Sequence, residues 1–112
     1  MQRPYKNIAT QMGIYAIRHL ESGKVLLGWS LDVNALLNRS KWELEQGSHA
    51  NKALQSDWKA FGPKAFEFTV LDELEPRLEE PSKAGYRKEL EALQALWLKE
   101  LQPFGERGYH SR

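Results

Sequence analysis

Few side chains in this sequence have a type and spacing that perform chemistry unaided. His19, His49 and His110 are scattered, without the separations of a helical or hairpin metal site. Taken singly, His19 and His49 read as surface or hydrogen-bonding histidines. Cysteine is absent, which excludes a thiolate nucleophile, a Cys-ligated zinc site and a disulfide scaffold. Glu73, Glu75, Glu79 and Glu80 crowd one stretch that has the chemistry of an acidic site, but Pro76 and Pro81 frame it, and a solvated loop is the simpler account. Trp29, directly after Gly28, has the chemistry of a base-stacking platform. Arg18, Lys24, Arg39, Lys41, Lys52, Lys59 and Lys64 are the cations that would contact phosphates if the fold gathered them on one face. Ordinary surface scatter is the competing account of the same residues.

These side chains have a small scaffold to hold them. The 112 residues accommodate one domain, 1–112, with a core expected over about 12–110. Hydrophobic residues at 41% and charged residues at 28% belong to a folded chain and not to a disordered one. No apolar run approaches the roughly 20 residues of a membrane span. The start, Met1 to Lys6, lacks the apolar core of a signal peptide, so the expected location is cytoplasmic. Sixteen basic against fifteen acidic residues leave +1, a balance that does not advertise nucleic-acid binding. The distribution is uneven: residues 1–64 carry nine Lys/Arg and five Asp/Glu (+4), and residues 65–112 carry seven and ten (−3).

The periodicity predicts six elements. Gly13–His19 and Lys24–Gly28 read as strands joined by Leu20-Glu21-Ser22-Gly23, a hairpin in which Gly23 takes the positive φ. Val33, Leu36, Leu37 and Ser40 then fall at helical spacing, with Ser30 or Asp32 as N-cap and Gly47 as stop. A second helix from about Ala50 to Phe61 presents Leu54, Trp58 and Phe61 to the core before Gly62-Pro63 ends it. Phe66–Asp72 reads as a third strand and 73–81 as a loop. A last helix, about Ser82 to Leu101, carries an apolar stripe of Leu90, Leu93, Leu96, Trp97 and Leu101. Trp42, Trp58 and Trp97 are expected in the core. The order β-β-α-α-β-α predicts an α+β fold, a small three-stranded antiparallel or mixed sheet flanked by helices.

That order, with these residues, resembles the GIY-YIG nuclease superfamily over about residues 13–110. Gly13-Ile14-Tyr15 stands at the first signature and Leu26-Leu27-Gly28 at the second. Gly28 to Asp32 resembles the entry into the first helix, Gln46 to Gln55 the linker into the next, and Lys59 to Leu71 the run into the third strand. The resemblance implies a GIY-YIG-like fold and, in its active members, phosphodiester cleavage with one divalent metal. There a tyrosine helps to activate water, a helix arginine stabilises the phosphate, and a glutamate ligates the metal. An anionic transition state needs such cations, and water needs a base or metal to become a nucleophile.

Carried over position by position, the resemblance leaves little of that chemistry. Tyr15 matches the first tyrosine and His49 a histidine of some members. The second tyrosine is replaced by Leu26, the arginine by Leu36, a helix histidine by Ser40 and the metal glutamate by Gln94; His110 stands where an asparagine is frequent. Removing one preorganised electrostatic group costs about 10²–10³ in rate, so losing cation and carboxylate together implies a catalytically degenerate domain, at most a nucleic-acid-binding module.

Helical geometry offers one alternative. Arg39 lies three residues after Leu36 and Glu91 three before Gln94, so each shares a face with the position it would serve. In that alternative, an active endonuclease uses Tyr15, Arg39 and His49 for catalysis and Glu91 for Mg²⁺ or Mn²⁺. Otherwise Arg39 and Glu91 are solvated charges, Tyr15 is a half-buried strand aromatic, and no cofactor is expected. The nucleic-acid contacts expected for DNA or RNA are Arg18, Lys24, Trp29, Lys41 and Lys52. A homodimer or partner protein supplying a missing group in trans, and a pure protein-interaction module, complete the set of readings.

Overall fold

A computed structural model of the chain describes residues 11–76 and 83–110. Three strands, β1 (Met12–His19), β2 (Val25–Ser30) and β3 (Phe66–Leu74), form a sheet of order β2-β1-β3 with both pairings antiparallel. The helices are α1 (Val33–Gln46), α2 (Lys52–Phe61) and α3 (Lys83–Leu101). The fold is therefore the expected α+β arrangement, with its sheet wholly antiparallel. Met1–Lys6, Glu79, Glu80, Pro81 and Ser82, which figured in the sequence reading, lie outside the described residues.

Local chemistry sets the element ends. Gly23 turns the hairpin at φ 79°, and the His19 and Gly23 amides close it on the carbonyls of Lys24 and His19, both at 2.8 Å. Of the two N-cap candidates, Asp32 is the cap: its Oδ1 accepts the Ala35 amide at 3.1 Å. Gly47 stops α1 in the left-handed conformation, where its amide meets the carbonyls of Glu43 and Leu44. Asn51 caps α2 by accepting the Leu54 amide at 3.0 Å. Strand β3 runs two residues beyond the predicted end and contains a bulge. Ile14 pairs with Asp72 and Tyr15 with Val70, leaving Leu71 as the extra residue.

Strand alternation separates two apolar clusters. On one face, Ile17 and Phe66 join Leu44 of α1, Leu54 and Trp58 of α2, and Tyr109. On the other, Met12 joins Tyr86 and Leu90 of α3, with Trp29, Leu31, Leu74 and Leu93 packed around them. Ile17, Leu44, Leu54 and Leu90 are fully buried, each contributing about 1.5–3 kcal/mol of transfer free energy.

Three apolar side chains expected inside are outside. Trp42 is 59% exposed because the buried face of α1 is set by Val33, Ser40 and Leu44; two residues from both Ser40 and Leu44, it points about 160° away. Phe61, the last residue of α2, is 53% exposed, covering His19 with one ring face at 4.6 Å. Leu96 is 64% exposed, at the margin of a stripe whose centre is Leu90. His19, expected at the surface, is buried between Phe61 and Phe66 with Nδ1 2.6 Å from Ser22 Oγ and Nε2 unpartnered.

Candidate functional site

Tyr15 sits on the α1–α2 face of β1, opposite Gly28 of β2. Its ring occupies the space above Gly28 so closely that a Cβ there would run into the phenol oxygen and ring carbons. The signature glycine is thus required by packing. Burial raises the Tyr15 pKa above the ordinary phenol value, and no neighbouring cation opposes the shift. Tyr15 is therefore a neutral phenol at pH 7, and among the described residues its hydroxyl has no hydrogen-bond partner.

Of the positions that the resemblance assigns to chemistry, Leu26 packs against the core and the others are buried or half-buried. Leu26 pairs with Ile17 and packs against the α1–α2 cluster. Leu36 is half-buried on α1, and Ser40 is buried one turn further on. Gln94 is half-buried on α3, the helix on the opposite face.

The histidines are engaged locally. His49 Nδ1 accepts the Asn51 amide at 3.0 Å, so neutral His49 carries its proton on Nε2, and its own amide donates to Gln55 Oε1 at 2.9 Å. His110 Nε2 accepts the Leu27 amide at 2.8 Å, which fixes the His110 proton on Nδ1. Here an imidazole does what a neighbouring strand's carbonyl would do, on the outer edge of β2. The Tyr109 amide donates to the Val25 carbonyl at 3.1 Å on that same edge. Asn51 Nδ2 donates to the Tyr109 carbonyl at 2.9 Å, and the Tyr109 hydroxyl to Asp57 Oδ2 at 2.8 Å. The segment from Pro103 to His110 is thereby strapped to β2 and α2. Sequence reasoning missed Asn51, Asp57 and Tyr109; the only signal was Asn51 at a helix start.

The remaining candidates do not converge. Arg39 is exposed, with Nε 3.3 Å from Glu43 Oε2 one turn along α1. Glu91 is exposed on α3. No hydrogen bond or ion pair joins Tyr15, Arg39, His49 and Glu91 to one another. Lys41 and Lys52 are exposed on α1 and α2, and the Lys24 ammonium lies 5.8 Å from the Tyr109 ring centroid. Arg18 alternates to the opposite sheet face, 3.8 Å from Glu67, and Trp29 packs partly into the α3 cluster. Among the described residues, no three His, Asp or Glu side chains gather as a metal cluster. The amide of Gln94 lacks the charge of a hard-cation ligand.

Burial lowers the pKa of His110, and also that of His49, where the Glu43 charge opposes it in part. The unfolded chain, with ordinary histidines near about 6.5, takes up protons first as pH falls. Stability is therefore fully present above about pH 6.5 and declines as pH drops toward the lowered folded-state values. Urea midpoints from pH 8 down to about pH 5 should fall in this window, and His110→Gln, whose amide oxygen can accept the Leu27 N–H, should flatten the decline. A profile identical in His110→Gln and the parent would contradict the assigned role of Nε2.

An antiparallel sheet of order β2-β1-β3, α1 and α2 on one face, α3 on the other, and Tyr15 seated on Gly28 define a GIY-YIG-like domain. Solved structures bear this fold out over most of the chain. The catalytic domain of the homing endonuclease I-TevI aligns with a TM-score of 0.67 and 28% identity, covering 88% of this chain and 95% of that one. A mutant of the I-TevI intron endonuclease catalytic domain aligns with a TM-score of 0.67 and 26% identity, covering 83% and 86%. No protein-family model and no curated protein matches the sequence. Among the described residues, no helix is long and apolar enough to cross a membrane.

Proposed function

We propose that this chain is a GIY-YIG-like domain that has kept the nuclease architecture, has lost phosphodiester cleavage, and acts as a nucleic-acid-binding module without a metal cofactor. One observation carries the reading: Leu26, which stands at the second signature tyrosine, packs against the hydrophobic core and leaves Tyr15 facing no second hydroxyl. The neutral Tyr15 phenol, the Arg39–Glu43 pair and the absence of a three-donor metal cluster among the described residues support it.

The binding half of the proposal rests on the likeness to an endonuclease catalytic domain and on the exposed cations Lys41 and Lys52 of the basic half. Fluorescence anisotropy with labelled duplex, branched and single-stranded DNA and with RNA tests it. Binding is expected to be weak and to strengthen steeply as salt is lowered, because phosphate contacts release counterions. Replacing both Lys41 and Lys52 by Ala should reduce the slope of log affinity against log salt by about 1.8. No binding at low salt to any of these would overturn the nucleic-acid role and leave a protein-interaction module as the reading of the fold.

A further inference from the structure

The alternation that turns Tyr15 and Ile17 toward α1 and α2 turns Ala16 and Arg18 the other way. On that side a cleft of about 540 Å³ opens between the sheet, the C-terminal end of α3 and the turn at Gly105–Arg107. Its volume is within the range of about 300–1,000 Å³ typical of small-molecule sites. Val25, Leu71, Leu101 and Pro103 give it an apolar lining, and Leu71 follows Glu67 and Thr69 on the cleft side of β3. Trp97 forms an aromatic wall, its indole held by a 3.0 Å hydrogen bond from Nε1 to Asp72 Oδ2.

Two guanidinium groups border this apolar space. Among the described residues, Arg18 has only Glu67 as an ionic partner, at 3.8 Å with both side chains about half exposed (48% and 53%); this is beyond hydrogen-bond length, so no described residue takes up the Arg18 donors. Arg107 uses Nη2 on the Leu101 carbonyl at 3.0 Å, which anchors the head group at the cleft wall and leaves the rest of its fork available. Glu67 and Glu106 also line the cleft. With two cations against two anions, the rim has no net charge to attract a polyanion, yet it offers planar, bidentate donors to a single anionic group.

The geometry points to a binding site for a small amphipathic organic monoanion, a hydrophobic body with one carboxylate, sulfonate or singly charged phosphate ester, with Arg18 and Arg107 holding the head group and Trp97 walling the body. This site is on the other face of the sheet from Tyr15 and does not rest on the nucleic-acid reading.

Anilinonaphthalene sulfonate, a fluorescent monoanion of this shape, is a suitable probe, with uncharged phenylnaphthylamine as its neutral counterpart. The folded full-length protein is expected to bind the sulfonate saturably at one site. Joint replacement of Arg18 and Arg107 by Ala should weaken that binding by about tenfold or more. Glu67→Gln, an exposed change that removes a repelling charge, should tighten it several-fold, which a merely structural effect would not do. Phenylnaphthylamine affinity should be the same in all variants, with circular dichroism confirming that each is folded. Unsaturable sulfonate binding, or sulfonate affinity unchanged by both the arginine and the Glu67 substitutions, would overturn the assignment.

Discussion

Gly13→Ala is expected to destabilise the fold by about 3 kcal/mol in urea denaturation, the upper part of the range for forcing atoms into a packed interior. A Cβ at Gly13 would collide with the main-chain carbonyl of Asp72 on β3, beside the bulge where Ile14 pairs with Asp72. A carbonyl engaged across a central strand pair has little freedom to retreat, so relief requires the β1–β3 ladder to open locally. An unchanged midpoint for Gly13→Ala would show that the pairing around the bulge is looser than described. The first signature glycine therefore has a reason to persist that is independent of catalysis.

The second signature glycine gives a sharper result because its obstacle is a side chain. Gly28→Ala alone should cost about 2 kcal/mol, since the new methyl group displaces the Tyr15 ring. In a Tyr15→Ala background the same change should cost almost nothing. The double-mutant cycle should show a coupling of about 2 kcal/mol, within the range for residues in direct contact. Additive effects would mean that the ring and the glycine do not meet.

Much of the fold was legible because its punctuation is local. Gly23, Asp32, Gly47 and Gly62-Pro63 mark element ends through their own backbone preferences or capping oxygens, and these act within a few residues. The clusters were legible in part, since Leu54, Trp58 and Leu90 sit at helical spacing. Trp42 reads as core from its apolar type alone, whereas its place two residues from both Ser40 and Leu44 puts it on the opposite face of α1. The strap from Pro103 to His110 was not legible at all. Its bonds join Asn51 to Tyr109, Asp57 to Tyr109 and Leu27 to His110, and no periodicity signals contacts across such separations.

The candidate site was legible in outline and not in geometry. Counting along the resemblance locates Leu26, Leu36 and Gln94 as replacements. What it does not show is that Leu26 belongs to the core, that His49 spends Nδ1 on Asn51, and that Arg39 pairs with Glu43. Those facts support the proposed reading of a site without cleavage chemistry. The two glycines are needed sterically, whereas the hydroxyl, guanidinium and carboxylate that the resemblance calls for are the groups replaced.

Cleavage of supercoiled and branched DNA in Mg²⁺ and in Mn²⁺ by the purified protein tests this account most directly, with Tyr15→Phe and Glu91→Ala run beside it. No metal-dependent cutting above the level shared by all three proteins is expected. Metal-dependent cutting that both substitutions abolish would contradict it, and would make Tyr15 and Glu91 parts of a working nuclease site.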